Sequence, residues 1–465
     1  MTVYYKSLFQ TAGKESLMSD NKAVMGIDIG TGSLKAIVLG FDDAAPLAEF
    51  QTNYEYDEAK YEQGVVPVRV YIDAVKQVLN EALGKFDLVS IALSSQMYSI
   101  CADVNDELVA FQWNTVWDED EEASEILDDM YDISGCPVKT LYPSYKMISK
   151  TGRHIDFKTF GFKEYVVSWL TGGEMVVDLA SASATGLFDI HNNDWNRKML
   201  DIVGFRYEDM PKAERPDHVA GYITNPEIDT RGLKIAVCPG IGDGPSASYA
   251  CKKISNIACN VGTSTAVRAL THDEGSMPLR KLWRYSMDDG YHAVGNISAF
   301  GCAVIDRARD LGMLEDVTED SGSHILFYPE RLKGKAFETL DDYKACMVGL
   351  EPDSTMEEMG AAVIKGIGFI ICQMAEQVNP EPKDTDLMIV VGGGLKIPLL
   401  REIMLNTLSI RVGTLEDSVY LVSLGAAASA LEGAGSDAVY DPEGLMVYEP
   451  TGRFSEEFSI WKENR

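Results

Sequence analysis

The sequence lacks the features that mark secreted, membrane-spanning and zinc-binding proteins. Its eight cysteines fall singly at irregular spacing, without a Cys-x-x-Cys pair, and its six histidines show no metal-ligand spacing. No apolar run approaches the roughly 18 residues that a membrane helix needs, and the N-terminus has no apolar block like that of a signal peptide. We therefore expect a cytoplasmic protein with buried free thiols, no zinc site and no membrane partner.

Basic residues are also scarce. The chain has 41 Lys and Arg against 72 Asp and Glu, which gives a formal net charge of -31. This field repels polyanions, and no basic stripe with interleaved aromatic residues is present, so nucleic acid is not an expected partner. The same field repels a free nucleotide. Any phosphate site must therefore act locally, through backbone amides and a divalent ion.

The chain does contain enough apolar residues for a large core, because 46% of its 465 residues are hydrophobic. The pattern predicts strands at 23–29, 34–41 and 46–54, separated by tight turns. Apolar residues at helical spacing predict a helix over 70–83, and a buried strand follows at 87–95. The order strand, helix, strand predicts α/β layering.

Glycine turns follow apolar strands at three places: Gly30-Thr31-Gly32, Gly262-Thr263-Ser264 and Gly392-Gly393-Gly394. Each could offer unpaired backbone N–H groups to an anion. Taken alone, the first turn fits a plain hairpin equally well, and the third fits close packing of a strand against a helix. The strand-and-glycine pattern of the opening segment returns after a composition break at 224–232, which predicts a second α/β domain.

Asp28 lies at the end of the first predicted strand, between two β-branched residues. A carboxylate there loses hydration and needs a partner such as a turn amide, a cation or a ligand. A metal ion bound to phosphate would be such a partner.

Five segments carry a family resemblance in order along the chain: DIGTGSLK, GDGPSASYA, NVGTSTAVR, VVGGGLKIPLLREI and SLGAAASALEGAG. They resemble the motifs of the FGGY carbohydrate kinases over about residues 23–435. SSQMYSICADVNDE and DLASASATGLFDIHNNDW are similar to the gluconokinase-like branch, with a xylulokinase-like branch next. The resemblance implies an α/β fold of two actin-like (ribonuclease H-like) domains with a cleft between them. Sugar would bind deep in the cleft and nucleotide mainly on the second domain.

The resemblance also implies ATP and Mg²⁺ as cofactors and assigns residues to them. Asp28 would hold magnesium through water. Asp243 would be the general base that takes the proton from the sugar hydroxyl, and it is assigned to the sugar and metal sites as well. The residues assigned to ATP are Gly30, Thr31, Gly32, Ser33, Lys35, Gly262, Thr263, Ser264, Gly393, Gly394 and Leu395.

The assigned residues could together catalyse phosphoryl transfer. This reaction needs positioning of the substrates, neutralisation of the phosphate charge and an acceptor for the hydroxyl proton. Magnesium keeps much of its water, so one carboxylate together with phosphate oxygens can form its site. The alternative for Asp243 is a cap for a helix that begins near Pro245, since Asp-Gly-Pro is also a sound helix start.

The resemblance further assigns a group of residues to the sugar: Gln96, Met97, Tyr98, Trp113 and Asn114. Relatives often carry Trp-x-Asp-x-Arg where this chain has WNTVWDED, so the aligned Arg is missing. Trp113 and Trp117 also lie at helical spacing, and a core role is equally open for both. Lys146 could meet the carboxylate of a sugar acid, although a solvated lysine is the commoner outcome.

Two more departures from the family pattern occur in the second half. Residues 360–369 read GAAVIKGIGF, with Ala-Ala and Lys-Gly where relatives have Arg-Ala and Glu-Gly. The segment 323–352 looks abbreviated around FYPERLKGKAF. Either change could alter the cleft wall, the cofactor contacts or subunit packing.

The predicted function is transfer of the γ-phosphate of ATP to a hydroxyl of a small sugar or sugar acid, with a gluconate-like acid leading and a ketopentose such as xylulose next. The alternative is a non-catalytic sugar or nucleotide sensor on the same scaffold. The partner is a small molecule, and a homodimer is left open.

The predicted domains are an N-terminal tail (1–22), a sugar-binding domain (23–232), a nucleotide-binding domain (233–435) and a C-terminal tail (436–465).

Overall fold

The computed structural model describes residues 4–7, 22–272, 282–288, 291–298, 300–329, 345–415, 420–441 and 444–464. The strands are β1 (Tyr4–Ser7), β2 (Lys22–Ile29), β3 (Ser33–Gly40), β4 (Pro46–Asn53), β5 (Val65–Pro67), β6 (Asp87–Ser95), β7 (Ile100–Val104), β8 (Glu107–Phe111), β9 (Asp156–Phe157), β10 (Val176–Asp178), β11 (Phe188–Asp189), β12 (Asp194–Trp195), β13 (Lys212–Glu214), β14 (Gly221–Tyr222), β15 (Ala236–Cys238), β16 (Ile257–Val261), β17 (Thr265–Thr271), β18 (Trp283–Asp288), β19 (Tyr291–Ser298), β20 (Leu326–Tyr328), β21 (Cys346–Val348), β22 (Leu387–Val391), β23 (Arg411–Leu415) and β24 (Met446–Tyr448). The α-helices are α1 (Val68–Leu83), α2 (Glu121–Ser134), α3 (Pro143–Ile148), α4 (Phe162–Thr171), α5 (Leu179–Ser183), α6 (Arg197–Val203), α7 (Asp243–Ala250), α8 (Cys302–Asp310), α9 (Met356–Val378), α10 (Pro398–Asn406), α11 (Leu421–Gly433) and α12 (Ser455–Glu463).

Two seven-stranded sheets organise the chain. The first has the order β1-β4-β3-β2-β6-β15-β14, and the second has the order β18-β19-β17-β16-β22-β23-β24. In each sheet an antiparallel hairpin adjoins a parallel strand: β2–β3 beside β6 in the first, and β16–β17 beside β22 in the second. The second sheet therefore repeats the central arrangement of the first, which agrees with the predicted return of the opening pattern.

One strand lies on a different sheet from the one that the sequence indicated. β15 falls inside the segment predicted as the second domain, yet it pairs with β6 in the first sheet, where Val237 lies opposite Ile91. The apolar residues of β15 and the glycines after it resemble the opening segment of the chain, which suggested the first strand of a second domain. In the structure, β15 pairs with strands of the first sheet. The second sheet begins at β16.

Parts of both predicted tails belong to the sheets. β1 pairs antiparallel with β4 at the edge of the first sheet, and β24 pairs with β23 at the edge of the second. In α12, Phe458 and Trp461 are buried in the core of the second half of the chain. The other domain limits stay predictions.

The core of the second half is built around α9. In the described part of the chain this one helix is long and apolar enough to cross a membrane by length and composition alone, but 83% of its apolar window is buried inside the protein. It packs against α10 and against β17 and β19 of the second sheet. Burial on this scale is typical of a central helix in a folded domain.

Candidate active site

The predicted site residues of the first half meet at one edge of the first sheet. β2, β6 and β15 run parallel, with Ile29 opposite Ser95 and Cys238 opposite Ala92. The segments that follow parallel strands leave the sheet at the same edge, which is where α/β proteins bind ligands. The glycine turn after β2, the Gln96–Tyr98 segment after β6 and the start of α7 after β15 are therefore neighbours. Asp28 and Asp243 both emerge from this edge.

Asp28 is the penultimate residue of β2 and lies opposite Lys35 of β3. Its Oδ1 atom is buried and has no hydrogen-bond partner. Burial and the nearby charge of Asp243 raise the pKa of Asp28 to about 7, and Lys35 opposes that shift. A buried carboxylate oxygen without a donor is costly unless a cation completes its surroundings, so Asp28 fits the predicted magnesium ligand.

Asp243 is the first residue of α7, and Gly242 occupies the N-cap position without a side-chain cap. The Oδ1 atom of Asp243 accepts a hydrogen bond of 3.1 Å from the backbone N–H of Met97. Burial raises the pKa of Asp243, while Arg268 and the amides of Met97 and Gly244 oppose this shift. The carboxylate is thus held by the segment after β6, rather than acting as the N-cap of its own helix.

Glycines on both sides of Asp243 leave room for the Met97 side chain. A Cβ atom built on Gly242 would lie 2.7 Å from Met97 Cγ, and one built on Gly244 would lie 2.7 Å from Met97 Sδ. Either added side chain would displace the Met97 side chain from its place against α7. The Gly-Asp-Gly sequence therefore favours the close approach of the two segments.

The first glycine turn connects directly to two predicted sugar residues. Thr31 Oγ1 accepts a hydrogen bond of 3.0 Å from Trp113 Nε1 and donates one of 3.5 Å to Gln96 Oε1. Gly32 has free space around it, since a Cβ built there would meet nothing within 4 Å. The turn has the geometry of a hairpin, with Gly30 N bonded to Ser33 O at 3.1 Å, and its exposed tip leaves room for a ligand.

Tyr98 is held in an unusual backbone conformation, with φ at 65°. A left-handed conformation is uncommon for an aromatic residue and is found preferentially at functional sites. Its hydroxyl lies 3.0 Å from the hydroxyl of Tyr285 on β18, which in turn lies 3.0 Å from that of Tyr142. The Tyr98 side chain is thereby fixed by a residue of the second sheet.

Lys146 is fully buried, so the expectation of a solvated lysine is wrong. Its Nζ atom donates hydrogen bonds to the carbonyl oxygens of Tyr98, at 2.8 Å, and Gln112, at 2.7 Å. Burial lowers the pKa of Lys146 to about 7. Lys146 therefore ties together the two segments that carry the predicted sugar residues.

The tryptophans of the WNTVWDED segment have different environments. Residues 113–117 form a turn and an irregular stretch, so the helical spacing was misleading. Trp113 is 46% exposed beside Thr31, whereas Trp117 is 9% exposed and packs against Phe111 and Phe157. The core role holds for Trp117 alone. Asn114 is half-buried, and its Oδ1 atom has no hydrogen-bond partner.

The other two glycine turns lie side by side on the second sheet. β16 and β22 are parallel, with Asn260 opposite Val391, so the Gly262–Ser264 turn and the Gly392–Gly394 turn leave the sheet at the same edge. Thr263 and Ser264 are exposed. The two turns are thus positioned to contact one ligand together.

In the third turn, Gly392–Gly394, two of the glycines are needed for backbone conformation or packing, and the middle one faces open space. Gly392 has a φ of 108°, and a Cβ on Gly394 would lie 2.3 Å from Val261 Cγ1, so both serve close packing. Gly393 has nothing within 4 Å of a built Cβ, which leaves its face open to a ligand. The Leu395 side chain is buried in the core, and a contact between this residue and adenosine stays a prediction.

The departure at 360–369 lies within α9. Lys365 is buried there, and its Nζ atom forms a 2.6 Å ion pair with Glu457 of α12. The lysine therefore fastens the C-terminal helix to the core. Of the abbreviated segment predicted at 323–352, residues 330–344 lie outside the described part of the chain.

Arg268 is a site residue that the sequence analysis did not identify. It lies on β17 opposite Ala258, and its Nε atom is 3.9 Å from a Cβ built on Gly244. That Nε atom is buried without a hydrogen-bond partner. A lone arginine in the apolar strand TAVRAL was the available signal, of the same kind as Asp28 in GIDI.

No group of three or more His, Cys, Asp or Glu side chains that could enclose a metal ion occurs among the described residues. A magnesium ion that keeps much of its water and binds phosphate oxygens does not need such a group. The eight cysteines are free thiols, and six of them are buried.

Comparisons with known proteins show which sequences this chain is similar to. Residues 23–249 match the model of the FGGY family of carbohydrate kinases, N-terminal domain. The chain is 24% identical to glycerol kinase 2 of Thermotoga maritima over 440 residues, which cover 84% of this chain and 86% of that protein. It is 23% identical to gluconokinase of Bacillus subtilis over 394 residues, which cover 74% of each.

The fold is also shared with solved structures. Gluconate kinase from Lactobacillus acidophilus superimposes with a TM-score of 0.77 at 23% identity, covering 96% of this chain and 97% of that one. This likeness confirms the predicted α/β fold of two actin-like domains. The match over residues 23–249 and the named kinases among the relatives support an FGGY carbohydrate kinase.

Proposed function

We propose that this kinase transfers the γ-phosphate of ATP to a hydroxyl of a small sugar or sugar acid in the cytoplasm, with a gluconate-like acid as the leading acceptor. The observation that carries the proposal is the juxtaposition of two carboxylates at one sheet edge. Asp28 has a buried oxygen without a partner, and Asp243 lies close enough to raise its pKa.

In the proposed reaction the acceptor hydroxyl oxygen bonds to the γ-phosphorus as the bond to the ADP oxygen breaks. Asp243 accepts the hydroxyl proton, and its raised pKa makes it a better proton acceptor than an ordinary aspartate. Met97 N–H fixes the Oδ1 atom of this carboxylate. The amides of the glycine turns would hold the phosphates, and Asp28 would hold the magnesium ion that neutralises their charge.

The sugar residues play supporting roles in the proposal. Gln96, Trp113 and Thr31 form one hydrogen-bonded group that places the acceptor segment beside the phosphate turn. Tyr98 is fixed by Tyr285 and Lys146, so its ring can form a rigid wall. Preorganised groups of this kind lower the cost of holding two substrates in line.

The test is ADP release with ATP, magnesium and a panel of sugars and sugar acids. Asp243→Asn should lower turnover about 10²-fold or more, since it removes the proton acceptor, and it should still bind ATP. Asp73→Asn, at an exposed position on α1, is the matched control and should have the parent's activity. An Asp243→Asn protein as active as the parent would refute the assigned base.

A non-catalytic sensor would give a different result in these experiments. A sensor would bind sugar tightly by calorimetry without any magnesium-dependent turnover of ATP in the parent protein. The retained acids and open glycine turns favour the kinase.

A further inference from the structure

Arg268 is a cation whose side chain is half-buried beside Asp243. Its Nε atom is buried without a hydrogen-bond partner, and it forms no ion pair with another described residue. Burial lowers its pKa, and Asp243, Tyr98 and Tyr285 oppose that shift. A partly desolvated guanidinium gains most from a bidentate anionic partner, because such a partner offsets the lost hydration.

The groups around Arg268 do not supply that partner. Asp243 Oδ1 already accepts the Met97 N–H, and Asp243 is the proposed proton acceptor. The hydroxyls of Tyr98 and Tyr285 are hydrogen-bonded to each other. Asp243 supplies a nearby negative charge but no ion pair, so the donors of the Arg268 guanidinium are available to an anionic ligand.

The location of Arg268 indicates whether the anionic ligand is the acceptor or the nucleotide. Arg268 lies four residues after Ser264, which is about 13 Å along a strand from the phosphate turn. Its near neighbours, Asp243 and Tyr98, belong to the acceptor side of the site. An anion at Arg268 therefore belongs to the acceptor rather than to the nucleotide.

We propose that Arg268 binds the carboxylate of the acceptor, and that the acceptor is a short-chain polyhydroxy acid rather than a neutral polyol or sugar. This inference rests on the proposed kinase function and adds its specificity-determining residue. A planar guanidinium matches a carboxylate through two parallel hydrogen bonds, and a site built in this way rejects an analogue that lacks the anion.

The experiment compares acids with neutral polyols of equal carbon number: gluconate with sorbitol, and xylonate with xylitol. Two readouts are taken, ADP release and calorimetric binding. The parent should prefer each acid by about 10²-fold in kcat/KM and in affinity. Arg268→Met should lose that preference by weakening the acids alone, and Arg268→Lys should restore part of it, since it keeps the charge without the bidentate geometry.

Arg69→Met, at an exposed arginine on α1, is the control and should keep the parent's preference. Equal use of acids and polyols by the parent would overturn the inference, and this result needs no variant to fold. An equal loss for both acceptor types in Arg268→Met would also overturn it, because Arg268 would then act through Asp243. Acid-selective binding that depends on Arg268, without any ADP release, would support the carboxylate site and refute the kinase proposal.

Discussion

At the scale of single residues, the site is marked by charged side chains with a buried atom that has no hydrogen-bond partner, namely Asp28 Oδ1 and Arg268 Nε. Asp28 illustrates the energetic consequence. The folded protein keeps the Asp28 proton up to about pH 7, whereas an unfolded aspartate releases it near 3.8. Between these values the folded state binds more protons, so the contribution of Asp28 to stability falls as the pH rises through this window. The neighbouring charges that set the shift are Asp243, which raises the pKa, and Lys35, which lowers it.

Asp28→Asn should therefore stabilise the protein in the absence of ligands and divalent ions. We expect a gain on the order of 1 kcal/mol at pH 8 and little difference at pH 4, because one pKa unit corresponds to about 1.4 kcal/mol and the site is partly open to water. Urea unfolding at the two pH values measures this. Magnesium-dependent turnover should also fall, because the proposed carboxylate ligand of the magnesium ion is lost. If the difference in unfolding free energy between the variant and the parent is the same at both pH values, the ionised Asp28 carboxylate does not destabilise the folded protein, and the prediction is wrong.

The sequence could predict Asp28 because a charge at the end of an apolar strand is a local signal. Arg268 gives the same signal, but its partner depends on which elements pack around β17. Lys146 could not be placed from sequence, since its two acceptors are backbone carbonyls of segments distant in the chain. The sequence shows which charged residues are unusual, but it does not show which distant segments those residues contact.

At the scale of elements, α12 is attached to α9 by an apolar surface and by the ion pairs Lys365–Glu457 and Lys462–Glu376. Lys365 is 5% exposed within α9, whereas the Glu457 side chain is 44% exposed. Removing only the acid leaves a buried ammonium without its partner, while replacing the lysine with an apolar side chain removes the buried charge itself.

Glu457→Gln should therefore destabilise the protein more than Lys365→Met does. We expect about 1 kcal/mol for Glu457→Gln, because the pair is partly exposed, and close to zero for Lys365→Met. Thermal unfolding of the two variants and of the double variant measures the difference. Lys365→Met as the more damaging change would show that the lysine acts through contacts other than Glu457.

Elements with strong local patterns could be predicted from the sequence. The strands β2, β3, β4 and β6 and the helix α1 follow from alternation and helical spacing, and the structure contains each of them. β15 shows where this fails. Its local pattern was correctly interpreted as a strand, but the choice of sheet is decided by its pairing with β6, a contact about 145 residues distant in sequence that no local pattern encodes.

At the scale of the whole molecule, α11 joins the two halves. It packs against β2 and β6 of the first sheet and against α7, and one apolar cluster contains Val24 of β2, Ala427 of α11 and Ile389 of β22. The β18 strand of the second sheet makes a further connection, through the 2.8 Å hydrogen bond from Arg284 N to Gly135 O. Because the halves share a core, we expect them to unfold together.

Gly26→Ala tests this connection. A Cβ on Gly26 would lie 2.0 Å from the carbonyl oxygen of Ser423 and 2.3 Å from the amide nitrogen of Ala427, so β2 and α11 must separate to admit it. Overpacking of this kind costs about 1–3 kcal/mol. Calorimetry should show one transition, shifted as a whole to lower temperature. Gly32→Ala is the matched control, since a Cβ there meets nothing within 4 Å, and it should leave the transition unmoved. Two separate transitions, of which only one responds to Gly26→Ala, would mean that the shared core does not couple the halves.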